Sequence, residues 1–255
     1  MKRKPFYLEW NDYVQLYKLA VARNRSREDY FSFEAYQGGM LVRYLRSQGL
    51  SLSGLSLLDL GCGFGGYMEA FKAEGANVVG LDIRPPKVDS VAVIAADALR
   101  IPAAGGSFDL VVCASLIEHL PDPAALLMEI WRVLKEGGLL YLSFPPYYFI
   151  TGGHQFSPYH LFGQKFALYV ARKKGLFRGQ KWLESMYPTR PSSFDTAFGS
   201  WGLYRMTIAK TRRLLKNLPY TVVDRSTRWL PFDFSAIPVL GEFMTWHVQF
   251  LLKKE

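Results

Sequence analysis

Four glycines that follow an apolar segment have the most informative spacing in this chain: Gly61, Gly63, Gly65 and Gly66. The preceding run, Ser56–Leu60, predicts a buried parallel strand. Because glycine has no side chain, a ligand can approach the backbone closely, and the chain can adopt the positive φ of a tight strand-to-helix turn. This turn is therefore a candidate ligand-binding loop.

Acids lie at the ends of the predicted strands around that loop. Asp82 ends the strand predicted over 76–81, where a carboxylate can accept two hydrogen bonds from the cis-diol of a ribose. Asp97 follows the strand predicted over 91–95 and can accept a hydrogen bond from an adenine amino group. Asp59 lies two residues before the first glycine, where a carboxylate can meet a ligand ammonium group. The expected ligand contains an adenosine and carries positive charge.

The same glycines also satisfy the dinucleotide fingerprint G-x-G-x-x-G, through Gly61, Gly63 and Gly66, with an acid about twenty residues on. A pyrophosphate would be repelled by Asp59. Asp97 adds a further carboxylate at the same edge of the predicted sheet. An NAD-dependent oxidoreductase is therefore the less favoured alternative.

Over positions 56–145 the chain resembles the class I S-adenosylmethionine-dependent methyltransferases, in particular the type 11 group that is similar to ubiquinone/menaquinone methyltransferases. The matching segments are LLDLGCGFGG, VVGLDI, AADALRIPAAGGSFDLVVCASLIEHLPDP and EIWRVLKEGGLLYLSFP, in the family's order. The resemblance implies S-adenosylmethionine as cofactor and methyl transfer as activity. A protein of the same fold that binds the cofactor without catalysis is an alternative.

The resemblance also implies roles for individual residues. Asp82 would hold the ribose hydroxyls, Asp97 with its neighbour Ala98 would flank the adenine, and Ser115 would line the methionine side. His119 would lie near the cofactor and orient its loop. Helix capping is the alternative role for Asp97 and Ser115. The full expected cofactor set is Asp59, Gly61, Cys62, Gly63, Gly65, Asp82, Ile83, Asp97, Ala98, Ser115 and Leu116.

Strands and helices alternate along the chain, which predicts an α/β fold with right-handed crossovers. We expect a doubly wound, Rossmann-like sheet of seven mostly parallel strands, with the last strand antiparallel as in the family. Gly137 and Gly138 are expected to form the turn into the fifth strand. The chain is interpreted as one methyltransferase domain with four parts: an N-terminal helical cover (1–50), a cofactor-binding core (51–145), a substrate lid (146–205) and C-terminal strands (206–255).

The predicted lid is rich in aromatic and basic residues, and it follows the fifth strand at the sheet edge where α/β proteins bind substrates. Transfer of an activated methyl group needs mainly alignment with its acceptor, so we expect no metal. A hydroxyl acceptor would need a base to remove its proton. His154 and His160 are the candidates for that base, with Asp195 and Tyr147 as alternatives. The expected acceptor is a small, sugar-containing or lipid-linked molecule that is methylated at oxygen or carbon.

Composition agrees with a cytoplasmic enzyme. Hydrophobic residues make up 49% of the 255 residues, enough for a sizeable core. The two cysteines, Cys62 and Cys113, indicate neither a disulfide framework nor a zinc cluster, and they suit a reducing compartment. The sequence contains no run of about eighteen apolar residues that could span a membrane.

Lysine and arginine outnumber the acids by 31 to 22, which gives a net charge of +9. The positive charge is concentrated near the amino terminus and in the segments 172–181 and 210–216. Such patches suit nucleic acid, anionic lipid or a phosphorylated substrate. The chain has no zinc knuckle and no RNA-binding sheet signature. Nucleic acid is therefore disfavoured as a partner, while peripheral contact with a membrane stays open.

Overall fold

The computed structural model describes residues 8–84, 92–176, 182, 191–199 and 201–255. Its sheet consists of β1 (Ser56–Leu60), β2 (Asn77–Asp82), β3 (Ala92–Ala95), β4 (Phe108–Ala114), β5 (Leu134–Phe144), β6 (Tyr220–Thr227) and β7 (Val248–Lys254). The strand order is β3-β2-β1-β4-β5-β7-β6. Strands β1 to β5 pair in parallel, and β7 pairs antiparallel with both β5 and β6. The predicted Rossmann-like sheet with an antiparallel last strand is confirmed.

Helices cover both faces of this sheet, because alternate residues of each strand point to opposite sides. The helices are α1 (Trp10–Ala22), α2 (Arg27–Ser47), α3 (Gly66–Ala73), α4 (Pro123–Val133), α5 (Gln164–Lys174), α6 (Ile208–Leu215) and α7 (Leu240–Met244). Leu57 of β1 packs in the core shared with α1, α2 and α3. Leu58 and Leu60 pack in the core shared with α4 and α6. None of the helices in the described ranges is long and apolar enough to cross a membrane.

The fifth strand differs from its prediction. It begins at Leu134, so Gly137 and Gly138 lie within β5 and do not form the turn into it. Phe108 of β4 pairs with Leu134, and the register then shifts before the next pairing, of Leu110 with Leu139. The extra residues of β5 are absorbed in this irregularity, a bulge of the kind that glycine permits. The prediction took the two glycines as the boundary of the strand. It was wrong because residues before and after them, Leu134 and Leu139, both pair with β4.

The segment predicted as the lid has an apolar core of its own. Its buried residues include Phe156 after β5, Leu168 of α5 and Phe198 further along the chain. Trp182 packs against this cluster, and its Nε1–H donates to the carbonyl of Asn24, between α1 and α2. Residues 177–181, 183–190 and 200 of the predicted lid lie outside the described residues.

Two adjacent glycines in α2 have opposite surroundings. The helix runs through Gly38 and Gly39 without a break. A Cβ at Gly38 would lie 2.9 Å from Cβ of Ala70 and 3.0 Å from Cα of Tyr67, both on α3, whereas a Cβ at Gly39 would meet nothing within 4 Å. Gly38 therefore allows α2 to approach α3 closely at the point where α3 leaves the glycine turn.

This contrast predicts opposite effects of two alanine substitutions. Gly38→Ala should lower the free energy of unfolding by about 1–3 kcal/mol, because the added methyl overpacks the contact between the two helices. Gly39→Ala should leave it unchanged or raise it by up to about 1 kcal/mol through helix propensity. Urea unfolding of both variants measures the difference, and equal effects would show that Gly38 is no close-approach position.

Candidate cofactor and acceptor site

Backbone hydrogen bonds join the glycine turn to the end of β2. The N–H groups of Gly61 and Cys62 both donate to the carbonyl of Leu81, at 2.7 and 3.1 Å. Gly61, Gly63 and Gly65 have φ angles of 78°, 51° and 87°. Residues with a Cβ rarely adopt these angles. The turn therefore requires glycine at these three positions, which are among the predicted site residues.

Two neighbouring segments close on the turn. A Cβ at Gly63 would lie 3.3 Å from Oε1 of Glu34 in α2, and one at Gly61 would lie 3.1 Å from the side chain of Leu116, after β4. Cys62 lies between Gly61 and Gly63 in the sequence. Its side chain is buried, and burial raises the pKa of its thiol. The cysteine is therefore an uncharged packing residue of the turn.

Asp82 is held at the end of β2 by backbone donors. Its Oδ2 accepts a hydrogen bond from the N–H of Gly63 at 3.1 Å, and its Oδ1 accepts one from Arg84 at 2.9 Å. The carbonyl of Asp82 accepts from Ala96, which places Asp97 beside the same edge of the sheet. Carboxylate oxygens keep further lone pairs in such an arrangement, so Asp82 can also accept hydrogen bonds from ligand hydroxyls.

The other residues predicted on the adenosine side border this edge. Ala98 is buried, Ile83 is 46% exposed and Asp97 is exposed. Oδ1 of Asp97 accepts a hydrogen bond from the N–H of Leu99 at 2.9 Å, as in an Asx turn. Asp97 therefore shapes its own loop, and its contact with an adenine stays a prediction.

Asp59 lies behind the glycine turn. It is only 3% exposed, and its Oδ2 has no hydrogen-bond partner. Burial, together with the charge of Asp82, raises the pKa of this carboxyl to about 7. A buried carboxylate without a partner is costly, and a ligand cation would relieve that cost.

Glu34 is a second buried acid at the turn, and it was not among the predicted site residues. Its Oε2 is buried without a hydrogen-bond partner. Burial and the charge of Asp59 raise the pKa of Glu34 to about 8, although the N–H groups of Phe64 and Gly66 act in the opposite direction. A signal was present: Glu34 lies one helical turn before Gly38, so both residues face α3.

The segment after β4 brings the predicted methionine-side residues to the turn. The N–H of Ser115 donates to the carbonyl of Ser143 at 2.8 Å, which joins the ends of β4 and β5. Ser115 has a φ of 56°, a rare conformation for a non-glycine residue that tends to occur at functional sites. Leu116 follows and faces Gly61.

A second cluster lies directly beyond Leu116. Glu118 and His119 belong to the 3-10 turn Ile117–His119, and His154 begins a 3-10 turn of the lid. Nε2 of His154 lies 3.3 Å from Oε1 of Glu118. The ring of His119 lies 4.7 Å from that of His154 and 4.5 Å from that of Trp201, between centroids. The lid therefore meets the sheet edge through these side chains.

Burial controls the protonation of this cluster. It raises the pKa of Glu118 to about 7. It lowers the pKa of His154 to about 4, with a further contribution from the charge of Arg23, and that of His119 to about 4, with a contribution from His154. Both imidazoles are therefore neutral at pH 7 and carry free lone pairs.

His160, the other predicted base, has a different environment. It is 1% exposed, and its Nε2 lies 2.8 Å from the carbonyl of Tyr147, to which it donates. A Cβ at Gly153 would lie 2.2 Å from the imidazole of His160, so the ring packs tightly under the lid backbone. Of the two alternatives, Tyr147 packs edge-on against His160, and Asp195 is exposed.

Comparison with known proteins agrees with this geometry. Residues 58–142 match the family described as "Methyltransferase domain". The chain is 31% identical over 142 residues to an uncharacterized methyltransferase of Mycobacterium ulcerans, covering 52% of this chain and 56% of that protein. It is 36% identical over 104 residues to a ubiquinone biosynthesis O-methyltransferase of Pseudomonas aeruginosa, covering 36% and 45%. The chain thus spans about half the length of these curated relatives.

A solved structure with the same fold covers more of the chain. It is a 1,6-didemethyltoxoflavin-N1-methyltransferase of Burkholderia thailandensis, 17% identical, with a TM-score of 0.52 over 98% of this chain and 92% of that one. The match of residues 58–142 to a methyltransferase domain confirms, for that segment, the class predicted from sequence, and the solved structure has the same fold.

The buried acids at the turn predict a pH dependence of stability. The pKa values of Glu34 and Asp59 are higher in the folded protein than in model compounds. Their protonation therefore stabilises the fold at low pH, and this stabilisation is lost as pH rises through about 8. Unfolded histidines still lose protons between about pH 6.5 and pH 7.5, which opposes this loss by roughly 0.4 kcal/mol for each buried histidine, so the acids give the larger net effect.

We expect the free energy of unfolding of the ligand-free protein to fall by on the order of 2 kcal/mol between about pH 6.5 and pH 8.5. Glu34→Gln should reduce that fall, because glutamine cannot ionise. Chemical denaturation at a series of pH values measures it. Glu136→Gln, at a carboxylate that is 80% exposed, is the control and should keep the wild-type slope.

Proposed function

We propose that this protein transfers the methyl group of S-adenosylmethionine to an oxygen or carbon atom of a small, sugar-containing or lipid-linked acceptor. The observation that carries the proposal is the carboxyl of Asp59, buried behind the glycine turn with one oxygen unpartnered. A cationic cofactor with an ammonium and a sulfonium group satisfies such a carboxylate.

The residues around the turn fit this cofactor. Asp82 would accept hydrogen bonds from the ribose hydroxyls, and Asp97 with Ala98 and Ile83 would border the adenine. The turn would lie under the cofactor through Gly61, Cys62, Gly63 and Gly65. Ser115 and Leu116 would lie on the methionine side. When bound, S-adenosylmethionine supplies a methyl group that is already activated by its positive sulfur, so alignment with the acceptor is the protein's main contribution.

The same acids argue against the dinucleotide alternative. Glu34 and Asp59 both lie at the turn where the pyrophosphate of NAD would bind, and two carboxylates there would repel it. Glu34 reinforces an argument that rested on Asp59 alone in the sequence. A protein that binds S-adenosylmethionine without catalysis remains the second candidate, because the turn supports binding equally well in both cases.

His154 is the better candidate for the group that handles an acceptor proton. It is neutral, it adjoins Glu118, and it lies next to the methionine-side segment. Nε2 of His160 is instead engaged with a backbone carbonyl, which supports a positioning role for that residue. His119, between the ring of Trp201 and that of His154, would orient the loop, as the sequence predicts.

The outer face of the lid favours a lipid-linked acceptor over a fully water-soluble one. Phe162 is 73% exposed, and Phe166 and Tyr169 follow it at helical spacing with 45% and 57% exposed. Lys165 and Arg172 are exposed on the same helix. Exposed aromatic residues flanked by cations are typical of segments that contact the surface of an anionic membrane.

Titration calorimetry with S-adenosylmethionine, S-adenosylhomocysteine and NAD tests the cofactor assignment. We expect the first two to bind and NAD not to bind. Asp82→Ala should weaken binding of S-adenosylmethionine by roughly 1.5–3 kcal/mol, about tenfold or more, through loss of hydrogen bonds to a charged acceptor. Asp122→Ala, which removes the cap of α4 outside the site, should not change the affinity. Unchanged affinity in Asp82→Ala would remove Asp82 from the ribose site.

Catalysis is tested by an acceptor screen over hydroxylated, sugar-bearing and lipid-linked compounds. With a hydroxyl acceptor, His154→Ala should lower kcat by roughly 100-fold or more and leave the affinity for S-adenosylmethionine intact. His160→Ala should lower the melting temperature and have a smaller effect on kcat. Cofactor binding without turnover on any acceptor would support the non-catalytic alternative, and full turnover in His154→Ala would exclude His154 as the base.

A further inference from the structure

Three side chains at the junction of the sheet and the lid can reach a common point. Glu118, His119 and His154 each offer one potential ligand atom, and these atoms all lie within 4.8 Å of one another. Glu118 and His119 are adjacent in the turn after β4, while His154 comes from the lid. The cluster therefore forms only when the lid is folded onto the sheet.

The carboxylate of Glu118 lacks the partners that its burial demands. The residue is 2% exposed, and neither of its side-chain oxygens has a hydrogen-bond partner. Nε2 of His154 approaches Oε1 to 3.3 Å, but it too is buried and makes no hydrogen bond. Unpartnered buried polar groups of this kind are rare, and a bound ion is one arrangement that satisfies them. Since a carboxylate and neutral imidazoles converge, a cation is the species that satisfies all of them.

His119 is oriented as metal-binding histidines usually are. Its Nδ1 lies 2.8 Å from the carbonyl of Gly202. A carbonyl can only accept, so Nδ1 carries the proton and donates, and Nε2 keeps its lone pair. A backbone carbonyl that fixes the tautomer and the ring orientation in this way is the typical outer partner of a histidine ligand.

We propose that Glu118, His119 and His154 bind a divalent transition-metal cation such as Zn²⁺. Two imidazole nitrogens and one carboxylate oxygen favour such an ion over Mg²⁺ or Ca²⁺, which prefer oxygen ligands. Three protein ligands are also the number found in sites that leave a coordination position open.

The open position gives the site a role that rests on the proposed function. The cluster adjoins Ser115 and Leu116, so an oxygen donor of the acceptor can complete the coordination shell beside the methyl donor. A cation there would favour loss of the proton from an acceptor hydroxyl. The role of His154 in handling the acceptor proton is then indirect, through the cation that it holds.

The test measures metal binding in the absence of cofactor and acceptor. After treatment with a chelator, the full chain is titrated with Zn²⁺ by calorimetry and with Co²⁺ by visible absorption. We expect one equivalent of each per chain and an absorption spectrum typical of imidazole-bound Co²⁺. Glu118→Gln and His154→Asn should each weaken Zn²⁺ binding at least tenfold. His247→Asn, at a half-buried histidine outside the cluster, should leave it unchanged.

Absence of Zn²⁺ and Co²⁺ binding by the folded wild-type protein overturns the proposal, as does undiminished binding by both cluster variants. If the variants fail to fold, anomalous diffraction from crystals grown with Zn²⁺ gives the answer: density between the three side chains supports the site, and density only elsewhere overturns it. Titration of the same sample with S-adenosylmethionine separates this result from the proposed function, because cofactor binding does not require the cation.

Discussion

The two hydrogen bonds from Gly61 and Cys62 to the carbonyl of Leu81 form the joint between β1 and β2, and the position of the candidate site depends on them. They fix the end of β1 against the end of β2, and they set the direction in which the chain enters α3. Asp82 is then within hydrogen-bond reach of Gly63, and the close contact at Gly38 brings α2 against the turn. Asp82 and Glu34 therefore lie around one turn, which these hydrogen bonds hold in place.

The distribution of charge at this joint is costly for the protein without a ligand. Burial raises the pKa values of Glu34 and Asp59 toward neutrality, with a further contribution from the charge of Asp59 at Glu34 and from that of Asp82 at Asp59. Glu118 repeats the pattern beside the lid, where burial again raises the pKa of its carboxyl. Each of these buried acids lowers the stability of the ligand-free protein, as groups with shifted pKa values at functional sites commonly do.

The sequence predicted those parts of the fold that depend on local chemistry. The glycine turn, the strand-end position of Asp82 and the antiparallel last strand follow from motifs and from family resemblance. The predicted start of β5 was wrong because strand pairing, which depends on the tertiary structure, extends the strand through Gly137 and Gly138. The contact of His154 with Glu118 could not be predicted from the sequence for a similar reason. The path of the lid is determined by its own apolar core, and no sequence motif marks it.

The independent core of the lid, with Phe156, Leu168 and Phe198 at its centre, has an evolutionary consequence. A cover that packs on itself can change its sequence, length and surface without disturbing the sheet beneath it. The matched family segment, residues 58–142, ends just before that cover begins, and the relatives share only part of their length with this chain. The surface that such a cover presents can therefore differ between proteins that share the matched segment, while the glycine turn stays the same.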